Sequence, residues 1–86
     1  MELKLVFVGS DSWDRPCYAA PGGEILVDTT PISSSPPDLC TKYGIKYYKS
    51  GAAKDLEGEP DTPIQEVERF KGFDQITFEP ERKVWY

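Results

Sequence analysis

The chain has 86 residues, fifteen of them Asp or Glu, ten Lys or Arg and none His, so that its formal net charge at pH 7 is -5. Chains divide into separate cores only at roughly 250 residues, so we expect one small domain over residues 1–86. An acidic surface repels phosphate backbones, and direct nucleic-acid binding is therefore not expected.

No segment has the pattern of a targeting or membrane-spanning sequence. In Met1–Gly9 one lysine precedes a short apolar run that lacks a small-residue cleavage site, unlike a signal peptide. Every apolar stretch falls short of the roughly 20 residues that a membrane helix needs. We therefore expect a cytoplasmic protein without membrane contact.

The two cysteines do not indicate a metal site. Cys17 and Cys40 lie 23 positions apart, without a CxxC motif and without a histidine in the chain. This spacing fits neither a zinc site nor a dense disulfide framework. We expect reduced, partly buried thiols, no bound metal and no cofactor.

The first third of the chain predicts a β-meander. Residues 3–8 show a period of two, in which Leu3, Leu5 and Phe7 alternate with Lys4, Val6 and Val8. This period, together with the β-branched and aromatic residues, favours a strand. Two further extended runs, Arg15–Ala20 and Glu24–Thr30, flank a Pro-Gly-Gly sequence. Glycine tolerates the positive φ of a tight turn, so these two runs should form a hairpin.

Two segments carry helix signals. The proline-rich run 31–37 cannot form a central strand, but Ser35 as N-cap and Pro36 at the first helical position predict a short helix ending near Tyr43. In the second segment Thr62 would cap a helix that Gly72 ends.

An apolar stripe supports the second helix. It is formed by Ile64, Val67 and Phe70, which follow the opening Pro63 and would face the sheet.

The remaining segments are predicted to be extended or connecting. Ile45–Tyr48 is a candidate edge strand, residues 49–60 form a connector, and Gln75–Phe78 with Lys83–Tyr86 would close the chain as a hairpin. Together these elements predict an α+β fold: a mostly antiparallel sheet of about five strands with one or two short helices on one face.

The composition argues against an enzyme. Without histidine the chain lacks the usual general base and the commonest metal ligand. A calcium loop starting at Asp55 would place Pro60 where a glycine is needed for the sharp turn, so no metal site is predicted there either.

The acidic charge is concentrated in the second half. Residues up to Ser50 contain six acids and five bases, whereas those from Gly51 onward contain nine acids and five bases. Asp55, Glu57, Glu59 and Asp61 alternate along one segment, which we call the acidic segment. It is either a solvated loop or a contact surface for a partner protein with a basic surface.

Trp13, Asp14 and Arg15 form the second candidate site. An aromatic anchor flanked by a charge pair is typical of protein-binding hot spots. The structural interpretation is a turn held by Asp side chains, with Trp13 folded onto the sheet and Asp11 or Asp14 paired with Arg15. The sequence favours the structural interpretation, because a small core uses its large rings.

Several motifs resemble one family across nearly the whole chain. They are LKLVFVGSDSWDRPCY at the start, DLCT at 38–41, EGEPDTPI at 57–64 and ITFEPERKVW at the end. They are similar to small accessory proteins of bacterial conjugative transposons and related mobile elements, whose domain also occurs within large polyvalent proteins. The segment IKYYKSGAAKD is longer than this family's pattern, and no catalytic residue is implied.

Three functions follow as hypotheses. The resemblance implies a non-enzymatic, protein-binding accessory domain of a mobile element. The acidic second half suggests an anti-defence inhibitor that mimics nucleic acid and binds a host nuclease. The third is a purely structural domain of larger fused proteins.

Overall fold

The computed structural model describes residues 1–42, 56 and 58–85. Within these residues the chain forms six strands and two single turns of 3₁₀ helix. The strands are β1 (Glu2–Ser10), β2 (Pro16–Ala19), β3 (Ile25–Asp28), β4 (Leu39–Lys42), β5 (Pro60–Pro63) and β6 (Gln75–Glu79). The 3₁₀ turns are Ile64–Glu66 and Glu68–Phe70.

The strands form one mixed sheet in the order β5-β4-β3-β2-β1-β6. Neighbours are antiparallel except β1 and β6, which are parallel. The predicted α+β class is therefore wrong: the described part of the chain is mostly β, with six strands instead of about five. The predicted strand at the start and the hairpin formed by β2 and β3 are confirmed.

The helix predicted from Ser35 is replaced by β4. Leu39–Lys42 pairs with β3 on one side and with β5 on the other. The N–H of Asp38, expected within the first helical turn, donates instead to the buried Asp28 carboxylate at 3.2 Å. Pairing with two neighbouring strands provides hydrogen-bond partners for more backbone N–H and C=O groups than a helix of two turns would. The segment therefore forms a strand although its sequence contains a helix-capping pattern.

The second predicted helix is also wrong. Thr62 and Pro63 belong to β5, and Val67 at φ -99 and ψ 118 separates the two 3₁₀ turns. Neither turn has a side-chain cap. The apolar residues recur every third position, which matches three residues per 3₁₀ turn better than 3.6 per α-helical turn.

The closing hairpin does not form. β6 pairs with β1 in parallel, and residues 81–85 carry no strand. The candidate edge strand Ile45–Tyr48 and most of the predicted connector lie outside the described residues. Among those described, no helix is long and apolar enough to cross a membrane.

Both faces of the sheet are covered, which explains why all four residues of β3 are buried. Strand side chains alternate between the two faces. One face carries the larger core, in which Ile64 and Phe70 of the two 3₁₀ turns pack on residues of the sheet and of the β2–β3 turn. These residues are Leu3, Leu5, Tyr18, Ala20, Leu26 and Leu39. The other carries a smaller cluster of Cys17, Ile25, Val27, Cys40 and Leu56.

Candidate protein-interaction site

Asp11 organises the turn that follows β1. Its Oδ1 atom accepts the backbone N–H groups of Trp13 at 3.0 Å and Arg15 at 2.9 Å. Its Oδ2 atom accepts the Arg15 Nε–H at 2.8 Å. A single, almost fully buried carboxylate therefore fixes both the backbone and the cation of this turn.

The turn also contains a left-handed residue. Asp14 has a φ of 62, and its N–H donates to the Asp11 carbonyl oxygen at 2.9 Å. Asp and Asn are the side chains besides glycine that tolerate this conformation best. Asp14 therefore shapes the turn through its backbone and leaves its side chain exposed.

A buried lysine lies behind the turn. Lys42, at the end of β4, has no exposed side-chain area, and its Nζ atom lies 2.8 Å from Asp11 Oδ2. Nζ also donates to the carbonyl oxygen of Leu56 and lies 3.8 Å from Cys17 Sγ. A buried ion pair needs such additional partners to offset the cost of desolvating its charges.

These contacts set the charge states of the cluster. Burial by itself raises the pKa of Asp11, but hydrogen bonds from Lys42 and Arg15 outweigh it and hold this pKa below the ordinary 3.8. Burial raises the pKa of the Cys17 thiol to about 11, despite the attraction of Lys42. At neutral pH the cluster thus contains a carboxylate and an un-ionised thiol, which is a poor nucleophile.

Trp13 lies on the outer side of this turn. Its side chain is 73% exposed, and the Arg15 guanidinium carbon lies 5.8 Å from its ring centroid. The expectation that Trp13 folds onto the sheet is therefore wrong, whereas the expected pairing of Asp11 with Arg15 is confirmed. Trp13 belongs to neither of the two core clusters among the described residues.

The C-terminal segment brings a second tryptophan to the turn. The indole N–H of Trp85 donates to the carbonyl oxygen of Asp14. The backbone N–H of Trp85 donates to the carbonyl oxygen of Pro31 at 2.9 Å. Trp85 and Val84 are each a little over one-third exposed. Trp13, Asp14, Arg15 and Trp85 thus form one surface, which we call the Trp13 surface.

A buried ion pair holds the C-terminal segment in place. Arg82 Nε lies 3.1 Å from Oδ2 of Asp28, a carboxylate with no exposed area. Its two terminal nitrogens donate to the carbonyl oxygens of Ser35 and Thr30 at 2.6 and 2.7 Å. The fork geometry of guanidinium suits such multiple contacts.

The acidic segment is only partly described. Asp55 and Glu57 lie outside the described residues, while Glu59 and Asp61 are exposed next to and within β5. The segment is linked to the Trp13 surface through Lys42, which bonds both Asp11 and the carbonyl of Leu56. Among the described residues, the structure therefore groups Trp13, Asp14 and Arg15, and Lys42 links their turn to Leu56 of the acidic segment.

Sequence reasoning did not find Lys42 or Trp85. Lys42 lies 31 residues from Asp11, and Trp85 lies 71 residues from Asp14. One signal was available for Lys42: in a strand it shares a face with the apolar Cys40, which predicts a buried side chain in need of an anion.

Comparison with known proteins gives no relative. No protein-family model, curated protein or solved structure matches the chain. The similarity to accessory proteins of conjugative transposons stays a prediction from the motifs.

Proposed function

We propose that this protein is a non-enzymatic interaction domain, an accessory protein of a bacterial mobile element that acts in the cytoplasm and binds a partner protein through the Trp13 surface. The observation that carries the proposal is Trp13 itself. Trp13 is 73% exposed on a turn whose backbone is fixed by the buried Asp11.

The energetics favour a binding role for this ring. Burying a large apolar side chain stabilises a protein by about 1.5–3 kcal/mol, and a small domain has few such side chains. Here the indole remains outside while a buried carboxylate and a buried ammonium hold the turn beneath it. A turn whose backbone is fixed before binding loses less conformational entropy when a partner covers it.

The composition of the surface points the same way. Tryptophan and arginine are the residues most enriched at interface hot spots, and Trp13, Arg15 and Trp85 lie together. The Trp-Asp-Arg-Pro block that supports the resemblance to mobile-element proteins coincides with this turn. The motif and the exposed surface are therefore the same residues.

The acidic residues support a partner with a basic surface. Glu59 and Asp61 are exposed, and such charges raise association rates with a basic partner more than affinity. Asp11 and Asp28 are buried in ion pairs and add nothing to a negative surface.

Affinity capture with matched variants tests the proposal. Tagged wild-type protein, a W13A/R15A variant, a variant with the acidic segment neutralised (D55N/E57Q/E59Q/D61N) and an E68Q control are each incubated with bacterial lysate. We expect one bacterial protein to be captured by the wild type and by E68Q but not by W13A/R15A. After purification, this partner should bind the wild-type protein again. Equal recovery by the wild type and W13A/R15A would contradict the proposal.

The acidic-segment variant separates two forms of the proposal. If these acids attract a basic partner, the partner associates more slowly with this variant than with the wild type. The difference between the two association rates then decreases as salt is added. Unchanged association rates at low salt would remove the acidic segment from the interface and leave the Trp13 surface alone.

A further inference from the structure

A cavity that is open to solvent lies on the larger core face and shares no lining residue with the Trp13 surface. Its volume is about 270 Å³, and it is lined by Ile64, Gln65, Phe70, Lys71, Phe73 and Ile76. Ile64 directly follows β5, and Ile76 lies on β6, the opposite edge of the sheet. The two 3₁₀ turns connect β5 to β6 across this face, so residues from both ends of the connection border the same cavity.

The cavity combines apolar walls with two polar side chains, Gln65 and Lys71. Four of the six lining residues are apolar, and two of them, Ile64 and Phe70, belong to the core. Lys71 is about half exposed, and its Nζ lies 3.2 Å from a Glu68 carboxylate that is 91% exposed. An ion pair as exposed as this one contributes little to stability. The Lys71 ammonium is therefore available to an anion that binds it more strongly than Glu68 does.

We propose that this cavity binds a small amphipathic carboxylate, whose apolar body lies among Ile64, Phe70, Phe73 and Ile76 and whose carboxylate pairs with Lys71. Ligand sites typically combine apolar walls with a few polar groups that fix orientation. Gln65 provides a second polar contact at the same cavity.

The volume limits the size of the ligand. A cavity of about 150 Å³ with aliphatic and aromatic walls holds one benzene ring. In proportion, this cavity accommodates roughly ten heavy atoms, a single ring with a short side chain. The exposed edge of Ile76, 38% accessible, is the part of the wall that such a ligand would cover.

The test uses 3-phenylpropionate as probe and its uncharged amide as matched control. Each is titrated into ¹⁵N-labelled full-length protein, and amide shifts are followed by NMR. We expect saturable shifts confined to residues 64–76, a Kd for the acid at or below about 1 mM, and about two- to fivefold weaker binding of the amide.

Two variants locate the site. Lys71→Met, at a half-exposed position, should bind acid and amide equally. Ile76→Trp should fill the cavity and abolish binding of both. W13A, which alters the Trp13 surface, should leave the Kd for 3-phenylpropionate unchanged. The cavity inference and the proposed function can therefore be contradicted independently of each other.

Three results would overturn the inference. They are the lack of saturation with 3-phenylpropionate, equal binding of acid and amide to the wild type, and an unchanged preference for the acid in Lys71→Met. Because Lys71→Met does not alter the core, the inference stays testable if Ile76→Trp fails to fold.

Discussion

Lys42 Nζ and Asp11 Oδ2 lie 2.8 Å apart with virtually no exposed area on either side chain, although 31 residues separate them in the chain. The ammonium also reaches the carbonyl of Leu56, and the carboxylate holds the Trp13 turn. The Trp13 surface therefore lies on a turn that is held by a buried ion pair.

Replacing Asp11 with Asn should be strongly destabilising. The shape of the side chain is kept, but Lys42 is left as an unpaired buried charge, which costs about 3–5 kcal/mol. Urea denaturation followed by circular dichroism measures the loss. Asp14→Asn makes the same chemical change three residues away, and its expected effect is within about 0.5 kcal/mol because that side chain is exposed.

The contribution of Asp11 should depend on pH in one direction. Its pKa in the folded protein is below the ordinary 3.8, so the stability it confers is fully present above that value and is lost as pH falls through the folded-state pKa. The stability difference between wild type and D11N should be constant from about pH 7 to 5 and shrink below about pH 4. A difference that disappears by pH 6 would contradict the ion pair.

Removing one partner of the Arg82–Asp28 pair should destabilise the protein about as much as removing the charge of Asp11. Arg82→Met leaves the Asp28 carboxylate buried without its cation, and we expect a loss of about 3–5 kcal/mol in urea denaturation. The double variant D28N/R82M should recover part of this loss. Lys83→Met is the control; its ammonium lies over the Phe7 ring, a contact worth at most about 1 kcal/mol.

Cys17 and Cys40 should remain unbridged thiols in the native protein. Both pair with Val27, one from each neighbouring strand, so their Cα atoms lie about two strand spacings apart, near 9.6 Å. A disulfide needs about 7 Å or less. Intact mass measured without reductant should show two free thiols.

The same burial predicts slow labelling of Cys17. With its pKa raised from 9.0 to about 11, the thiolate fraction at pH 8 is about 100-fold lower than in the unfolded chain. In a C40S variant, alkylation at pH 8 should be slowed at least by this factor, and urea should abolish the difference. Because the unfolded thiol ionises first, this group lowers stability as pH rises above 9.

Local patterns predicted part of the fold correctly. The first strand and the β2–β3 hairpin follow from alternation and from the Pro-Gly-Gly turn, in which the N–H of Gly23 bonds the carbonyl of Ala20 at 2.8 Å. The two helices failed because capping signals are also short and local. At residues 39–42 the partners that decide the structure, β3 and β5, come from elsewhere in the chain.

The candidate site was found only in outline for the same reason. Trp13, Asp14 and Arg15 are adjacent, so their composition alone marked them. Lys42 and Trp85 reach them only through the folded sheet and the C-terminal segment. The exposure of Trp13 could not be predicted either, because it depends on how completely the other side chains fill both faces.

The most direct test of the proposed contact surface is site-specific photocrosslinking in bacterial cells. A benzophenone-bearing phenylalanine analogue replaces Trp13 in one protein and Glu68, an exposed residue of the second 3₁₀ turn, in another. The account predicts a discrete crosslinked protein from position 13 that position 68 does not give and that the D11N substitution abolishes. No crosslink from position 13, or the same set of crosslinks from both positions, would contradict it.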